Sequence, residues 1–218
     1  LIILASITQL VSQERFLMIT GCARSGTGYA ALYYNSFNLD IGHELLRTNG
    51  ASSWFFTGDS QQIGWGRPPE KEKISFSHVF HQIRHPLDVI SSWYYNNDKA
   101  QYIWDYIYKH VPEINKKESF LIRCAKYWYY WNLKAEKKSE WSYRIEDLKT
   151  EKVIKEIEKR LKKKLSNQSF IKKINTKYNT RARSFMKLTW QDLKKDLSEK
   201  DYNNIVNLAK KYGYKTED

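Results

Sequence analysis

Between Arg15 and Tyr29 the chain carries residues whose types and spacing suit the capture of an anion. Gly21-Cys22-Ala23-Arg24-Ser25-Gly26 reads as a glycine-bounded loop between an apolar run, Phe16-Leu17-Met18-Ile19-Thr20, and a helix that opens at Thr27. In a strand, loop and helix of this kind, successive backbone N–H groups and the helix N-terminus converge on one point. Gly21 and Gly26 let the backbone curl closely around an oxyanion, where a Cβ would obstruct it. Arg24 adds a fixed positive charge, and Ser25 and Thr27 add hydroxyl donors. A second cluster, Gly42-His43-Glu44, ends the next predicted strand and so falls beside the loop. It offers two groups able to take a proton from a hydroxyl, Glu44 as the favoured base and His43 as its alternative or orienting partner.

The loop departs from the Walker A pattern where that pattern does its chemistry. After Gly26 the lysine position holds Thr27, and the magnesium-hydroxyl position holds Gly28. The basic residue lies inside the loop instead, at Arg24. In this form, Arg24-Ser25-Gly26-Thr27-Gly28 resembles the 5′-phosphosulfate loop of the sulfotransferases, which use 3′-phosphoadenosine 5′-phosphosulfate as donor. Arg84-His85-Pro86-Leu87-Asp88, with Ser92 and Tyr94 following, is similar to that family's 3′-phosphate motif. The resemblance implies that Arg84 and Ser92 hold the 3′-phosphate, Arg84 by a forked charge-assisted contact at a strand end. Arg144-Ile145-Glu146-Asp147-Leu148 looks like an element that follows a core strand in many sulfotransferases, and its expected role is structural. Arg181 and Arg183 match the family's late basic loop only loosely, because its usual glycines are absent. The resemblance further implies in-line displacement at sulfur, a hydroxyl or amine acceptor and no metal; the aromatic residues suit a carbohydrate acceptor, with a lipid, a small alcohol and a peptide tyrosine also open.

The elements that must position these residues read as an alternation. Strands are predicted over 16–20, 37–41, 77–83 and 141–145, and helices from Thr27, over 86–97, 99–110, 118–138 and 150–165, and in two short capped segments at the C-terminal end. Residues 46–75, rich in Gly, Ser and Pro with Trp54, Phe55, Phe56 and Trp65 interspersed, read as a long functional loop. Trp54 is placed to stack on a base or to line an acceptor channel. Pro86 suits the first position of its helix. Val153, Ile154, Ile157, Leu161 and Leu165 fall at helical spacing and form one buried stripe. Strands alternating with helices predict a three-layer α/β/α domain on a parallel sheet, with ligands at the C-terminal ends of the strands. With the resemblance, the expected architecture is the sulfotransferase version of the P-loop NTPase-like fold.

Composition bounds the rest. The 218 residues fit one domain, 1–218, with 1–14 as a candidate truncated N-terminal extension. A net charge of +13 suits an anionic ligand, although the lysine run over 149–165 reads first as a solvated face. Cys22 and Cys124 make neither a disulfide framework nor a metal site. The apolar opening Leu1 to Val11 is too short for a membrane span, which takes about 20 residues. The cytoplasm is the favoured compartment, with a Golgi-type lumen the alternative if an anchor precedes Leu1. A P-loop nucleotide kinase and a non-catalytic basic module for nucleic acid or polyanion stay open as alternatives; nucleic acid is not the expected partner.

Overall fold

A computed structural model describes residues 13–64, 74–96, 101–164 and 187–217. Arg181, Arg183, Trp65, Leu165 and the apolar opening lie outside these residues. The described chain runs β1 (Gln13–Gly21), α1 (Thr27–Asn35), β2 (Ile41–His43), β3 (Gly50–Ser52), α2 (Phe55–Gly58), β4 (Ile74–Ile83), α3 (Pro86–Asn96), α4 (Gln101–His110), α5 (Phe120–Lys138), β5 (Trp141–Arg144), a 3₁₀ turn (Ile145–Asp147), α6 (Glu151–Leu161), α7 (Trp190–Asp196) and α8 (Glu199–Lys211). The five strands form one parallel sheet in the order β2-β3-β1-β4-β5.

Alternation along the strands decides which layer each side chain joins. Leu17, Ile19, Phe80 and Tyr143 pack on one face under α1 and α6, through Tyr33, Tyr34, Ile154, Ile157 and Leu161. Met18 points to the opposite face, against Phe56 and Ile63. That second face is covered by α3, α4, α5, α7 and α8, with Trp93, Trp104, Trp128, Trp131 and Trp190 in its core. The result is a three-layer α/β/α domain, as the alternating elements predict.

Two sequence expectations need correction. Phe37 and Leu39 do not begin β2. The N–H groups of Ser36 and Phe37 bond back to the last turn of α1, and Asn38 turns the chain at φ 61°, so both apolar residues fold under the helix. Residues 46–75 are also not one open loop. They contain β3 and α2, and Trp54, Phe55 and Phe56 are buried. β3 is three residues, Gly50–Ser52, too short and too small for a periodic signal. Gly50 is required where β3 crosses β1, because a Cβ there would run into the Leu17 carbonyl.

The helix caps agree with the sequence. Thr150, Thr189 and Ser198 each accept from the backbone N–H three residues on, and Thr189 with Asp192 completes a capping box. Cys22 and Cys124 are buried and unbridged.

His81 is a polar residue driven into the core between β4 and α5. Asn132 donates through Nδ2 to the Trp128 carbonyl at 2.7 Å, so its Oδ1 accepts from His81 Nε2 at 3.0 Å. With the buried ring neutral, His81 Nδ1 accepts from the Ser142 hydroxyl at 3.0 Å. Burial lowers its pKa from 6.5 to about 4. The unfolded chain therefore takes a proton below pH 6.5 that the folded chain refuses until about pH 4. Stability is present above pH 6.5 and falls as the pH drops through that window, by an amount on the order of 3 kcal/mol. Urea midpoints measured from pH 7 to pH 4.5 should show this loss in the wild type. His81→Gln, less stable at pH 7, should show a shallower dependence.

Candidate functional site

β1 and β4 are neighbours, yet the chain leaves them toward opposite faces. After β1 it enters α1 on one face, and after β4 it enters α3 to α5 on the other. A crevice opens at such a divergence, at the C-terminal ends of the two strands. Gly21 pairs with Gln82 there, so the loop after β1 and the Arg84-His85 segment after β4 rise side by side. A Cβ on Gly21 would run into the Gln82 carbonyl, which is why a glycine stands where the strands approach.

The loop wraps the crevice in a conformation that needs left-handed backbone at two positions, Arg24 at φ 75° and Gly26 at φ 87°. Gly26 is the N-cap of α1 and offers no side-chain cap, and the first turn of α1 holds no acidic residue. The N–H groups of Thr27, Gly28 and Tyr29 have no acceptor one turn earlier, so the helix presents an uncapped positive end to the crevice. The Ser25 hydroxyl is buried and donates to the Cys22 carbonyl at 2.6 Å, where it closes the loop. Cys22 is a buried wall whose thiol burial pushes well above its ordinary range.

Arg84 is drawn to the same point. Its Nη1 donates to the Arg24 carbonyl at 3.1 Å, and its Nη2 lies 3.6 Å from Asp88. Ser92 is half-buried in the second turn of α3. The neighbouring Trp93 donates to the Ala23 carbonyl at 3.2 Å, which seats this turn of α3 against the loop. Asp88, the partner of Arg84, also lines a cleft together with His85, Arg144, Glu146, Lys187 and Tyr214. Its charges are satisfied internally. Lys187 pairs with Asp88 at 3.0 Å, Tyr214 donates to Glu146 at 2.8 Å, and Arg144 grips Asp147 at 2.6 Å and the Gly213 carbonyl at 2.6 Å. Arg144 thus ties the end of β5 to the C-terminal tail.

On the other flank, β2 and β3 carry His43 and Glu44 to the start of α1. His43 Nε2 lies 3.2 Å from the Thr27 hydroxyl and 3.8 Å from Glu44 Oε1. Glu44 stands at φ 50°, and its N–H donates to the Ser52 carbonyl at 3.0 Å. This left-handed residue reverses the chain so that two parallel strands are joined by only a short connection. Burial raises the Glu44 carboxyl above its ordinary range, opposed by His43, by a hydrogen bond from Trp54 and by the charge of Arg24. Trp54 is therefore not an open stacking surface. It is 4% exposed, packed on Phe55, Tyr106 and Trp131, and it holds the Glu44 carboxylate.

The structure thus gathers Arg24, Gly26, Thr27, Gly28, Arg84, His43 and Glu44 around one crevice. Gln82 escaped the sequence analysis. Its Nε2 donates to the Ser25 carbonyl at 2.8 Å, and its Oε1 accepts from Tyr143 at 3.1 Å. The available signal was the break in alternation at His81-Gln82, two adjacent polar residues just before the last residue of β4, Ile83. No family model, curated protein or solved structure significantly matches the chain. Among the described residues, no helix is long and apolar enough to cross a membrane.

Proposed function

We propose that the chain is a sulfotransferase, moving a sulfuryl group from 3′-phosphoadenosine 5′-phosphosulfate to a hydroxyl or amine acceptor, on the sulfotransferase version of a P-loop-like domain. One observation carries this reading. Arg84 donates to the backbone carbonyl of Arg24 beside the uncapped N-terminus of α1, while the charge of Arg24 itself is felt at Glu44 on the other flank. A donor with a 5′-phosphosulfate and a 3′-phosphate carries two anionic groups a ribose apart, and this arrangement offers a cation to each. The lysine through which a nucleoside-triphosphate enzyme holds its phosphates is Thr27 here, which weighs against the kinase alternative.

In the proposed step, an acceptor oxygen attacks sulfur as the bond from sulfur to the bridging phosphate oxygen breaks. The acceptor proton passes to Glu44, and the electron pair leaves on the bridging oxygen. Arg24 and the N–H groups at the start of α1 are preorganised donors for that charge. Carbohydrate is one acceptor class that fits the reading, and the acceptor itself is left to a screen with labelled donor.

Calorimetry tests the donor. Binding of adenosine 3′,5′-bisphosphate without magnesium is expected, in preference to ATP with magnesium. Preference for ATP with magnesium would move the chain to the kinases, and salt-sensitive oligonucleotide binding alone would make it a polyanion module. Arg84→Ala is expected to weaken the bisphosphate by about 1.5–3 kcal/mol, the value of a charge-assisted contact. Adenosine 5′-phosphosulfate, which lacks the 3′-phosphate, should bind mutant and wild type alike. Equal losses for both ligands would remove Arg84 from the 3′-phosphate.

A further inference from the structure

The carbonyl groups of the loop from Gly21 to Gly26 are all bound, and bound by the fold rather than by solvent. Trp131 Nε1 donates to the Gly21 carbonyl at 3.1 Å, Trp93 Nε1 to Ala23 at 3.2 Å, Arg84 to Arg24 at 3.1 Å and Gln82 to Ser25 at 2.8 Å. The Cys22 carbonyl accepts from Ser25, and the Gly26 carbonyl accepts from Ala30 inside α1. A trans peptide is planar with its C=O and N–H pointing in opposite directions, and the described chain has no cis bond. Fixing the carbonyls of Gly21, Ala23, Ser25 and Gly26 outward therefore turns the N–H groups of Cys22, Arg24, Gly26 and Thr27 the other way. Two further loop N–H groups are used within the fold, Ala23 to the Tyr127 hydroxyl at 2.8 Å and Ser25 to Cys22 at 3.1 Å.

We infer that the indole N–H groups of Trp131 and Trp93 are positioning groups for the anion loop, setting its peptide planes so that its amides face the ligand. The inference rests on the reading of the loop as an anion site and deepens it, since neither tryptophan touches the anion. A glycine-bounded loop is the part of the chain least able to hold its own peptide orientation, and a flipped peptide at Gly21 or Ala23 would turn a carbonyl toward the anion. Both donors sit on helices of the rigid core, Trp93 on α3 and Trp131 on α5, and both side chains are at most 1% exposed.

The fold contains its own control. Trp104 lies in the same aromatic cluster, its ring 5.5 Å from that of Trp93, yet its buried indole N–H has no hydrogen-bond partner among the described residues. Replacing each tryptophan by phenylalanine keeps a large ring and removes the N–H. Trp131→Phe and Trp93→Phe are each expected to weaken adenosine 3′,5′-bisphosphate about tenfold, measured by calorimetry well below the melting midpoint, as for loss of a hydrogen bond worth about 1.4 kcal/mol. Trp104→Phe should bind as the wild type does. Wild-type affinity in both Trp131→Phe and Trp93→Phe, with folding verified by circular dichroism, overturns the inference. An equal loss in Trp104→Phe also overturns it, because ring packing would then be the cause. A wild type that binds no bisphosphate fails the anion-site reading itself, a result seen before any variant is made.

Discussion

Glu44→Gln is expected to slow single-turnover sulfuryl transfer by about 10²–10⁴-fold, the usual value of one general base, with donor affinity close to wild type. Glutamine keeps the size of the side chain and can still accept from Trp54, so the change removes little besides the proton acceptor. His43→Asn should cost less, because His43 lies 3.8 Å from the Glu44 carboxylate and 3.2 Å from the Thr27 hydroxyl, where it orients its neighbours. The pH profile separates the two residues further. A base works only when deprotonated, and burial raises the Glu44 carboxyl above 4.5. The wild-type rate should therefore fall as pH drops through an apparent pKa above that of an ordinary glutamate. In Glu44→Gln the residual rate should lose this limb, because glutamine does not titrate. Near-normal rates for Glu44→Gln with a dead His43→Asn would make His43 the base. Near-normal rates for both would take this strand end out of the active site.

Removing the charge of Arg24 is the second large effect, and the backbone decides how to remove it. Arg24 stands at φ 75°, where a residue with a Cβ is strained by about 1–2 kcal/mol and glycine is not. Arg24→Gly deletes the guanidinium and relieves the strain, whereas Arg24→Ala deletes it and keeps the strain. Both are expected to lower kcat by about 10²–10³-fold, as for loss of one donor to a developing oxyanion. Binding of adenosine 3′,5′-bisphosphate should suffer less, because the loop N–H groups and Arg84 still hold its two phosphates. Arg24→Gly should melt at or above the wild-type midpoint and Arg24→Ala below Arg24→Gly. Equal kcat values in the two variants would show that the charge, not the backbone, is responsible. A kcat near wild type in Arg24→Gly would exclude Arg24 from the transition state.

The strain at Arg24 has a structural use. The left-handed residue turns its carbonyl toward Arg84, and that bond ties the Arg84 guanidinium to the backbone of the loop after β1. A loop of ordinary conformation would leave Arg84 paired with Asp88 alone.

Much of this was legible along the chain because it is local. The apolar run before Gly21, Pro86 at a helix start, the Thr189 and Ser198 caps and the stripe of Ile154, Ile157 and Leu161 depend on neighbours within a few residues. Hydrophobic period and cap chemistry act over that distance, so they survive without coordinates. The loop with its glycines, Arg24 and the departure from a lysine-bearing phosphate loop was equally visible. What the chain alone left open was everything set by long-range pairing. β3 is too short to announce itself and exists because Leu17 to Ile19 pair with Gly50 to Ser52. Trp54 has the sequence appearance of a stacking platform, but packing against Trp131 and Tyr106 buries it beneath Glu44. The adjacency of Arg24 and Arg84 comes from the placement of β4 beside β1, sixty positions apart in the chain. The size and apolar area of tryptophan favour burial but say nothing of where its one polar atom points. That Trp93 and Trp131 aim their single polar atoms at loop carbonyls, while Trp104 meets no acceptor among the described residues, was decided only by the tertiary structure, since a hydrogen bond depends on direction and an apolar contact does not.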